Sequence, residues 1–556
     1  MSEYSTRPAA EADADQPDPI ATLVWLRAAL GDRLLSYVLG SGEEQLETLL
    51  SGAASLSEHQ ASVLTEFHRV RSQLPAQLVE GVTVDTVVQA WTLQVQEDGR
   101  TLARALRAQS GVADDFPSGE NDLERTFAQL AADAYPALLL PEPADVRLFS
   151  RDFPIHVTRL LFAHPADKPF KEAALADPQL AKAFPHEREA SGRYGFVYTN
   201  TGWASGFQLD MLPETILRVA WRRVKHEPVA PVAFVSEAFS TLEMMRSLFA
   251  GTVQPIQARF AFAGLLMPEG SEIKVRNGVV RPTTAAEREL APESLRQQLS
   301  TTDESGSQVF IGYDGDVVYD YKFPYKLRVS KRELDDPSLP FPDDMHPPQD
   351  FEHDSLLIRF SLMLAVERRD RVQLVATWRN YDDPLLPGIS TSWNDSRQVA
   401  SLMPAQLTEG EVAAWQEWYD RLNKPEVSRI ELALSRILRA LAERREPSDV
   451  LIDAVIAWEN LFGHKEEATL RVTLSLARLI ADTPKARADL RSELGKIYAL
   501  RSNIVHGAAN LKISDQPKCQ RALEVAIEAM RVLVSQRSDI LSLPTGAERS
   551  NALIVE

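Results

Sequence analysis

The segment LRSNIVHG, residues 500–507, carries two side chains whose types and spacing could perform chemistry. Arg501 and His506 lie five positions apart, and Gly507 follows the histidine. An arginine presents a permanently charged planar fork that suits phosphate or carboxylate oxygens, and a histidine exchanges a proton near neutral pH. A structural interpretation is equally open, in which the arginine forms an interior ion pair and the histidine is favoured by a helix C-terminal dipole.

The elements that must position these side chains are helices. Apolar residues recur at helical spacing around Arg501 and form one stripe with it, so the arginine interrupts a face that should turn towards a bundle or a partner. The stripe consists of Leu490, Leu494, Ile497, Tyr498, Arg501, Ile504 and Val505. Because an unpaired buried guanidinium is costly, the arginine needs an acidic partner. Glu459, on an earlier predicted helix, is the candidate counter-ion.

The C-terminal part of the chain has the pattern of an antiparallel helical bundle. Six segments with helical periodicity follow one another with short turns, which is typical of such bundles. They cover residues 411–422, 426–445, 448–463, 466–482, 484–507 and 517–541. We therefore predict a bundle over residues 411–542 and a flexible tail over residues 543–556.

The N-terminal part predicts a disordered leader over residues 1–17 and a helical module over residues 18–140. Its short helices resemble the helix-turn-helix module of Xre-like antitoxins. Glu43, Glu44 and Glu47 lie where such a module should face DNA, and DNA phosphates repel acidic side chains. DNA binding, a protein contact and a purely structural role therefore all stay open for this module.

Residues 145–405 predict a mostly antiparallel β-rich domain with helical insertions. Asn277-Gly278 and Asp314-Gly315 each separate two β-prone runs, which is typical of hairpin turns. The run LLIRFSLMLAV, residues 356–366, alternates in apolar character and predicts a strand, and VQLVATW follows as another.

One acidic loop of this domain offers side chains that can ligate metals. Residues 341–354 contain Asp343, Asp344, His346, Asp350, Glu352, His353 and Asp354. Prolines and irregular spacing indicate a solvated loop instead, so we predict no metal site. No motif for a cofactor is present either.

The C-terminal bundle resembles the ApeA-like branch of the HEPN domains, over about a quarter of the chain. LRSNIVHG has the form of the Arg-x4-His signature of that family. AWENLFG matches the segment that carries the family glutamate, here Glu459, and EEATLRVTLSLARLI matches the next helix, with Arg471 at a family arginine position. The sequence departs from the family at Ser502, where many members carry a more strongly polar residue.

The resemblance implies a metal-independent RNA endonuclease, in which a ribose 2′-hydroxyl attacks the adjacent phosphodiester. Arg501 and His506 would be catalytic. The supporting residues would be Glu459, Arg471, Ser502 and Asn503.

Helix geometry adds a condition to this hypothesis. Five residues on an ideal helix place Arg501 and His506 about 140° apart, so they would not converge on one phosphate. We therefore expect Gly507 to let the last turn unwind and two copies to share one cleft. The apolar cluster of Leu494, Ile497, Tyr498, Ile504 and Val505 is the predicted homodimer interface.

The composition, with 44% hydrophobic and 25% charged residues, is that of a soluble globular protein, and no apolar run is long enough to cross a bilayer. The single cysteine, Cys519, and the polar N-terminus predict a cytoplasmic protein. A net charge of −19 argues against a protein that coats nucleic acid. From Glu411 onward the chain has 21 basic and 21 acidic residues, so a nucleic-acid site is more plausible there.

The sequence as a whole predicts a multidomain α+β protein, with a helical N-terminal module, a β-rich middle domain and an all-α HEPN bundle. We expect a toxin-like or antiphage effector with an RNA substrate, no membrane association, and a protein trigger or inhibitor at the N-terminal domains. The alternative is a non-enzymatic dimeric regulator, or an antitoxin-like protein, that binds a partner or DNA through the N-terminal module.

Overall fold

The structure, a computed structural model, describes most of the chain. It covers residues 18–74, 79, 81–141, 154–189, 192–288, 299–302, 308–311, 315–347, 349–366, 374–385, 390–392, 404–444, 446–507 and 511–555. The fold is mixed, with helices in the N-terminal part, mainly antiparallel sheets in the middle and helices in the C-terminal part. This order confirms the predicted fold class at a coarse level. The predicted leader, residues 1–17, lies outside the described residues.

The helices are α1 Pro19–Leu39, α2 Glu43–Leu50, α3 Glu58–Gln73, α4 Val84–Thr92, α5 Leu102–Gln109, α6 Asp122–Leu138, α7 Ile155–Ala163, α8 Asp167–Ala176, α9 Leu212–Val224, α10 Pro231–Phe249, α11 Ala285–Arg288, α12 Gln349–Ala365, α13 Glu409–Leu422, α14 Glu431–Ala442, α15 Pro447–Phe462, α16 Ala468–Ile480, α17 Pro484–Val505, α18 Gln516–Ser535, α19 Ser538–Leu541 and α20 Gly546–Val555. Short 3-10 helices occupy Leu180–Ala183, Leu209–Met211, Asp343–Met345, Pro425–Ile430 and Ile513–Asp515.

The strands are β1 His186–Arg188, β2 Gly192–Thr199, β3 Trp203–Gln208, β4 Gln254–Ala263, β5 Leu265–Leu266, β6 Ile273–Val275, β7 Gly278–Pro282, β8 Leu299–Thr302, β9 Gln308–Ile311, β10 Val317–Tyr325, β11 Leu327–Ser330, β12 Val375–Tyr381, β13 Ser390–Ser392 and β14 Ala405–Gln406.

The chain forms two compact units. The first consists of Met1–Gln254, Pro324–His346 and Asp382–Gly388, and the second of Pro255–Phe323, Pro347–Tyr381 and Ile389–Glu556. These units divide the chain differently from the predicted domains. The N-terminal helices belong to one unit with α7 to α10, and most strands of the predicted middle domain belong to one unit with the C-terminal helices.

In the first unit, two of the three acidic residues of α2 pair with arginines of α1. Arg27 forms an ion pair with Glu47, and Arg33 Nε lies 3.8 Å from Glu43 Oε1. These carboxylates therefore bind the neighbouring helix. The first unit also contains a small sheet in which β2 pairs antiparallel with β1, β3 and β11.

The main sheet of the second unit has the strand order β13-β12-β4-β10-β7-β6. The predicted hairpin at Asn277-Gly278 is confirmed as β6 and β7, but its turn lies one residue earlier. Val275 pairs with Gly278, so the two turn residues are Arg276 and Asn277.

The second predicted hairpin, at Asp314-Gly315, is wrong for the described strands on either side of it, and Asp314 itself lies outside the described residues. β10 pairs with β7, and β9 pairs with β8 instead. The reason lies in Gly315, which has a φ of 90° and where a Cβ atom would come within 2.7 Å of the Ala261 side chain. The glycine therefore serves a close approach to β4 and not a hairpin turn.

The predicted strand at residues 356–366 is also wrong, because residues 356–365 belong to helix α12. Within the helix, only His353, Leu356 and Arg359 of the residues from 353 to 366 are partly exposed, and they recur every three positions. A helix that packs on nearly all of its faces is apolar all round, so its sequence can alternate by coincidence.

The C-terminal segments form helices as predicted, from α13 to α19. The predicted flexible tail, residues 543–556, instead contains α20, which packs on α15 and α16. This helix is held by Arg549, whose guanidinium is buried and donates to the carbonyl oxygens of Asn460, Leu461 and Leu543. No helix in the described part of the chain is long and apolar enough to cross a membrane.

Candidate functional site

Helix α17 carries Arg501 and ends at Val505, with His506 as its C-cap. The Thr483 side chain accepts a hydrogen bond from the Ala486 N–H, and Pro484 occupies the first turn, so the helix begins with favourable capping residues. At the other end, the His506 N–H donates to the Ser502 carbonyl and Gly507 adopts a φ of 68°. The last turn is therefore regular up to Val505, and the expected unwinding before Gly507 does not occur.

The stripe that precedes Arg501 is the buried face of this helix. Leu490, Leu494, Ile497 and Tyr498 are buried within the chain. Ile504 is half-buried and Val505 is 47% exposed. Three members of the predicted dimer interface therefore belong to the interior of the unit itself, and this part of the interface prediction is wrong.

Arg501 lies at the edge of that buried face and meets Glu459 of α15. Arg501 Nη2 is 3.7 Å from Glu459 Oε2, and the two side chains are 20% and 32% exposed. Arg501 Nε is buried and has no hydrogen-bond partner in the described part of the chain. The guanidinium is thus partly desolvated, paired with a carboxylate at a long distance, and still accessible to solvent.

Tyr498 connects this pair to a third helix. Its hydroxyl donates to Glu459 Oε1 and lies near Thr469 of α16. Burial, followed by the hydrogen bond to Glu459, raises the pKa of Tyr498 to about 12, so the hydroxyl remains a donor at neutral pH. The sequence pattern indicates Tyr498 only as a member of the apolar stripe. Its position one turn before Arg501 was the signal that a polar partner could be present.

The remaining predicted site residues are distributed around this centre. Arg471 Nη1 donates to Asn551 Oδ1 of α20 at 2.6 Å, so it contacts a helix that the sequence did not predict. Ser502 is half-buried, whereas Asn503 and His506 are exposed. Arg501, Glu459 and Tyr498 therefore come together, and His506 lies on a different face of the same helix, about 140° away by ideal geometry.

The candidate metal ligands do not assemble. No group of three or more His, Cys, Asp or Glu side chains could hold a metal ion within the residues that the structure describes. Asp344 lies near Lys326 and Arg328, His353 contacts Glu431, and Asp354 is buried in α12. The expected solvated loop therefore ends before His353 and Asp354. The side chains of Asp350 and Glu352 lie outside the described residues.

No protein-family model matches the chain, and neither a curated protein nor a solved structure matches it. The function must therefore be argued from the residues and their geometry.

Proposed function

We propose that this protein is a metal-independent RNA endonuclease of the HEPN type, acting in the cytoplasm as a toxin-like or antiphage effector. One observation carries most of the support. Arg501 is half-buried and accessible, has one carboxylate within 4 Å among the described residues, and precedes an exposed histidine by five positions. A guanidinium with unused donors at an open edge suits the oxygens of a phosphodiester.

The proposed reaction is an internal transesterification of RNA. The ribose O2′ loses its proton and attacks the adjacent phosphorus, the bond from phosphorus to O5′ breaks, and O5′ gains a proton. The products are a 2′,3′-cyclic phosphate and a 5′-hydroxyl. His506 would transfer the proton, and Arg501 would stabilise the charge that builds on the phosphate oxygens.

Glu459 has a positioning role in this proposal. Its contact with Arg501 Nη2 is longer than a hydrogen bond, so it attracts the guanidinium without occupying its donors. Tyr498 fixes the other carboxylate oxygen, so the orientation of Glu459 depends on α17 itself.

A second copy of the chain completes the proposed site. Because the helix stays regular to Val505, Arg501 and His506 of one copy cannot face the same phosphate, and two copies could each supply a side chain to one cleft. The buried stripe cannot form the contact. Val505, at 47% exposure, and Leu470, at 39% exposure, are apolar residues that remain available for it. We also propose that the N-terminal helices bind a protein trigger or inhibitor.

The decisive experiment incubates total RNA with the protein in the presence of a chelator. Wild type should cleave RNA, His506→Ala should not, and the control His226→Ala, which changes an exposed histidine of the first unit, should cleave like wild type. Loss of cleavage in chelator, or equal cleavage by His506→Ala, would contradict the proposal.

The dimer is tested separately by mixing. Arg501→Ala and His506→Ala proteins, each inactive alone, should regain about a quarter of the wild-type rate when mixed in equal amounts, because half of the dimers are then mixed and each mixed dimer has one intact pair of side chains. If wild type sediments as a monomer at the working concentration and still cleaves, the shared site is wrong.

A second candidate function is a non-enzymatic dimeric regulator. Two observations favour it: Arg501 already has a carboxylate partner, and it diverges from His506 on a regular helix. Intact RNA under every condition, together with a stable dimer, would select this function.

A further inference from the structure

A pocket of about 250 Å³ lies in the second unit, where the turn between β6 and β7 meets α12, the end of α13 and the start of α14. Its floor consists of buried apolar side chains, namely Leu357, Leu422, Val427 and Leu434. Polar residues of its rim are Arg276, His353, Asn423, Lys424, Ser428 and Glu431. An apolar floor with a few convergent polar groups is the usual form of a small-molecule site.

Arg276 is held at this rim by hydrogen bonds of both its backbone and its side chain. Its backbone N–H donates to the Tyr419 hydroxyl at 3.0 Å, and its Nη2 donates to Asn423 Oδ1 at 2.8 Å. The next turn residue, Asn277, donates from Nδ2 to Asp354 Oδ2 at 3.0 Å. A hairpin turn is usually mobile, so these three bonds preorganise the arginine for a ligand.

The support for this turn reaches into the core. Asp354 is fully buried and also accepts a hydrogen bond from the Tyr319 hydroxyl at 3.0 Å. Burying a carboxyl group is costly unless it is well hydrogen-bonded. Here, the buried group fixes the turn that carries Arg276.

The charge around the pocket is predominantly positive. Neither Arg276 nor Lys424 has a carboxylate within 4 Å in the part of the chain that the structure describes. Glu431 is the acidic member of the lining described above, and its Oε1 lies 3.1 Å from His353 Nδ1. The lining therefore has two cations, Arg276 and Lys424, against one carboxylate, and a concave patch with an excess of positive charge attracts anions.

We propose that this pocket binds a small organic anion, a carboxylate or phosphate monoester with an apolar body. The anionic group would accept hydrogen bonds from Arg276 and Lys424, and the body would pack on the leucine and valine floor. A pocket of about 250 Å³ accommodates an apolar body of at least one ring. This proposal does not depend on the ribonuclease proposal.

The test titrates the full-length protein with three probes of similar shape, by calorimetry or ligand-observed NMR. Benzoate and phenyl phosphate should bind, and the neutral analogue benzamide should bind at least tenfold more weakly. Arg276→Gln and Lys424→Gln should each weaken binding of both anions about tenfold. Arg439→Gln, which changes an exposed arginine of α14, should leave binding unchanged.

Several results would overturn the assignment. Equal binding of benzamide would exclude an anion site, and unchanged anion binding in Lys424→Gln would place the ligand elsewhere. Failure of both anions to bind at millimolar concentration would exclude small organic anions as ligands of this pocket. Lys424 is exposed, so Lys424→Gln decides the outcome even if Arg276→Gln disturbs the turn.

Discussion

Two arginines of the C-terminal helices, Arg549 on α20 and Arg501 on α17, approach the end of α15 in different ways. Arg549 is 1% exposed and donates to three backbone carbonyls, at 2.8, 2.9 and 3.0 Å. Arg501 is 20% exposed, and its one ion-pair contact in the described part of the chain is to Glu459 at 3.7 Å. The first guanidinium has its bonds supplied by the fold, and the second has donors left for a ligand.

The difference separates a structural arginine from a candidate functional one. Two of the carbonyls that Arg549 binds, those of Asn460 and Leu461, are among the groups that the C-terminus of α15 leaves without intrahelical partners. Burial is the main cause that lowers the pKa of Arg549, as expected for a cation without a carboxylate partner. The start of α20 also packs closely on the end of α15. A Cβ atom at Gly546 would come within 3.0 Å of the Asn460 carbonyl oxygen. Accessibility and unused donors, and not burial alone, make Arg501 the candidate for the proposed function.

The largest expected effect is on stability, at Arg549. Arg549→Met should lower the free energy of unfolding by about 3 kcal/mol, because three carbonyls lose a charged donor. Urea denaturation measures this change, with Arg439→Met as the exposed control. A loss below about 1 kcal/mol would show that α20 contributes little to the bundle.

The next effect is on activity, at Arg501. Arg501→Lys keeps the charge but loses the planar fork, so RNA cleavage should fall about 100-fold, or about 2.7 kcal/mol, with little change in melting. Arg491→Lys, on an exposed position of the same helix, is the matched control. Wild-type activity in the Arg501→Lys variant would exclude the phosphate-binding role.

A smaller effect is expected at Glu459, which contacts both the buried Tyr498 and the proposed catalytic Arg501. Glu459→Gln should lower cleavage about tenfold and stability by about 1 kcal/mol, because the half-buried Arg501 loses its counter-ion. Cleavage rates and urea denaturation measure the two changes. If neither changes, the 3.7 Å contact has no energetic significance.

The smallest effect is expected at Tyr498. Tyr498→Phe keeps the ring and removes the donor to Glu459, so cleavage should fall about threefold. If Tyr498 acts through Glu459, adding Tyr498→Phe to Glu459→Gln should cause no further loss. Additive losses would show that the hydroxyl acts independently.

The sequence predicted this region well because its signals are local. Helical periodicity located α13 to α19, and a charge on the apolar stripe required a partner, which the structure provides as Glu459. The sequence signals failed to predict the structure where tertiary contacts determine it. The apolar run of α12 alternates by coincidence, Gly315 serves a close contact with Ala261, and α20 docks through Gly546 and Arg549 instead of through a long apolar stripe.

The most direct test of the central claim is the chemistry of cleavage at one mapped site. An RNA oligonucleotide that contains this site should be cut in chelator to a 2′,3′-cyclic phosphate and a 5′-hydroxyl. The same oligonucleotide with a single 2′-deoxy substitution at the nucleotide on the 5′ side of the cut should stay intact there. Cleavage of the deoxy oligonucleotide at an equal rate would contradict attack by the 2′-hydroxyl, and with it the roles proposed for Arg501 and His506.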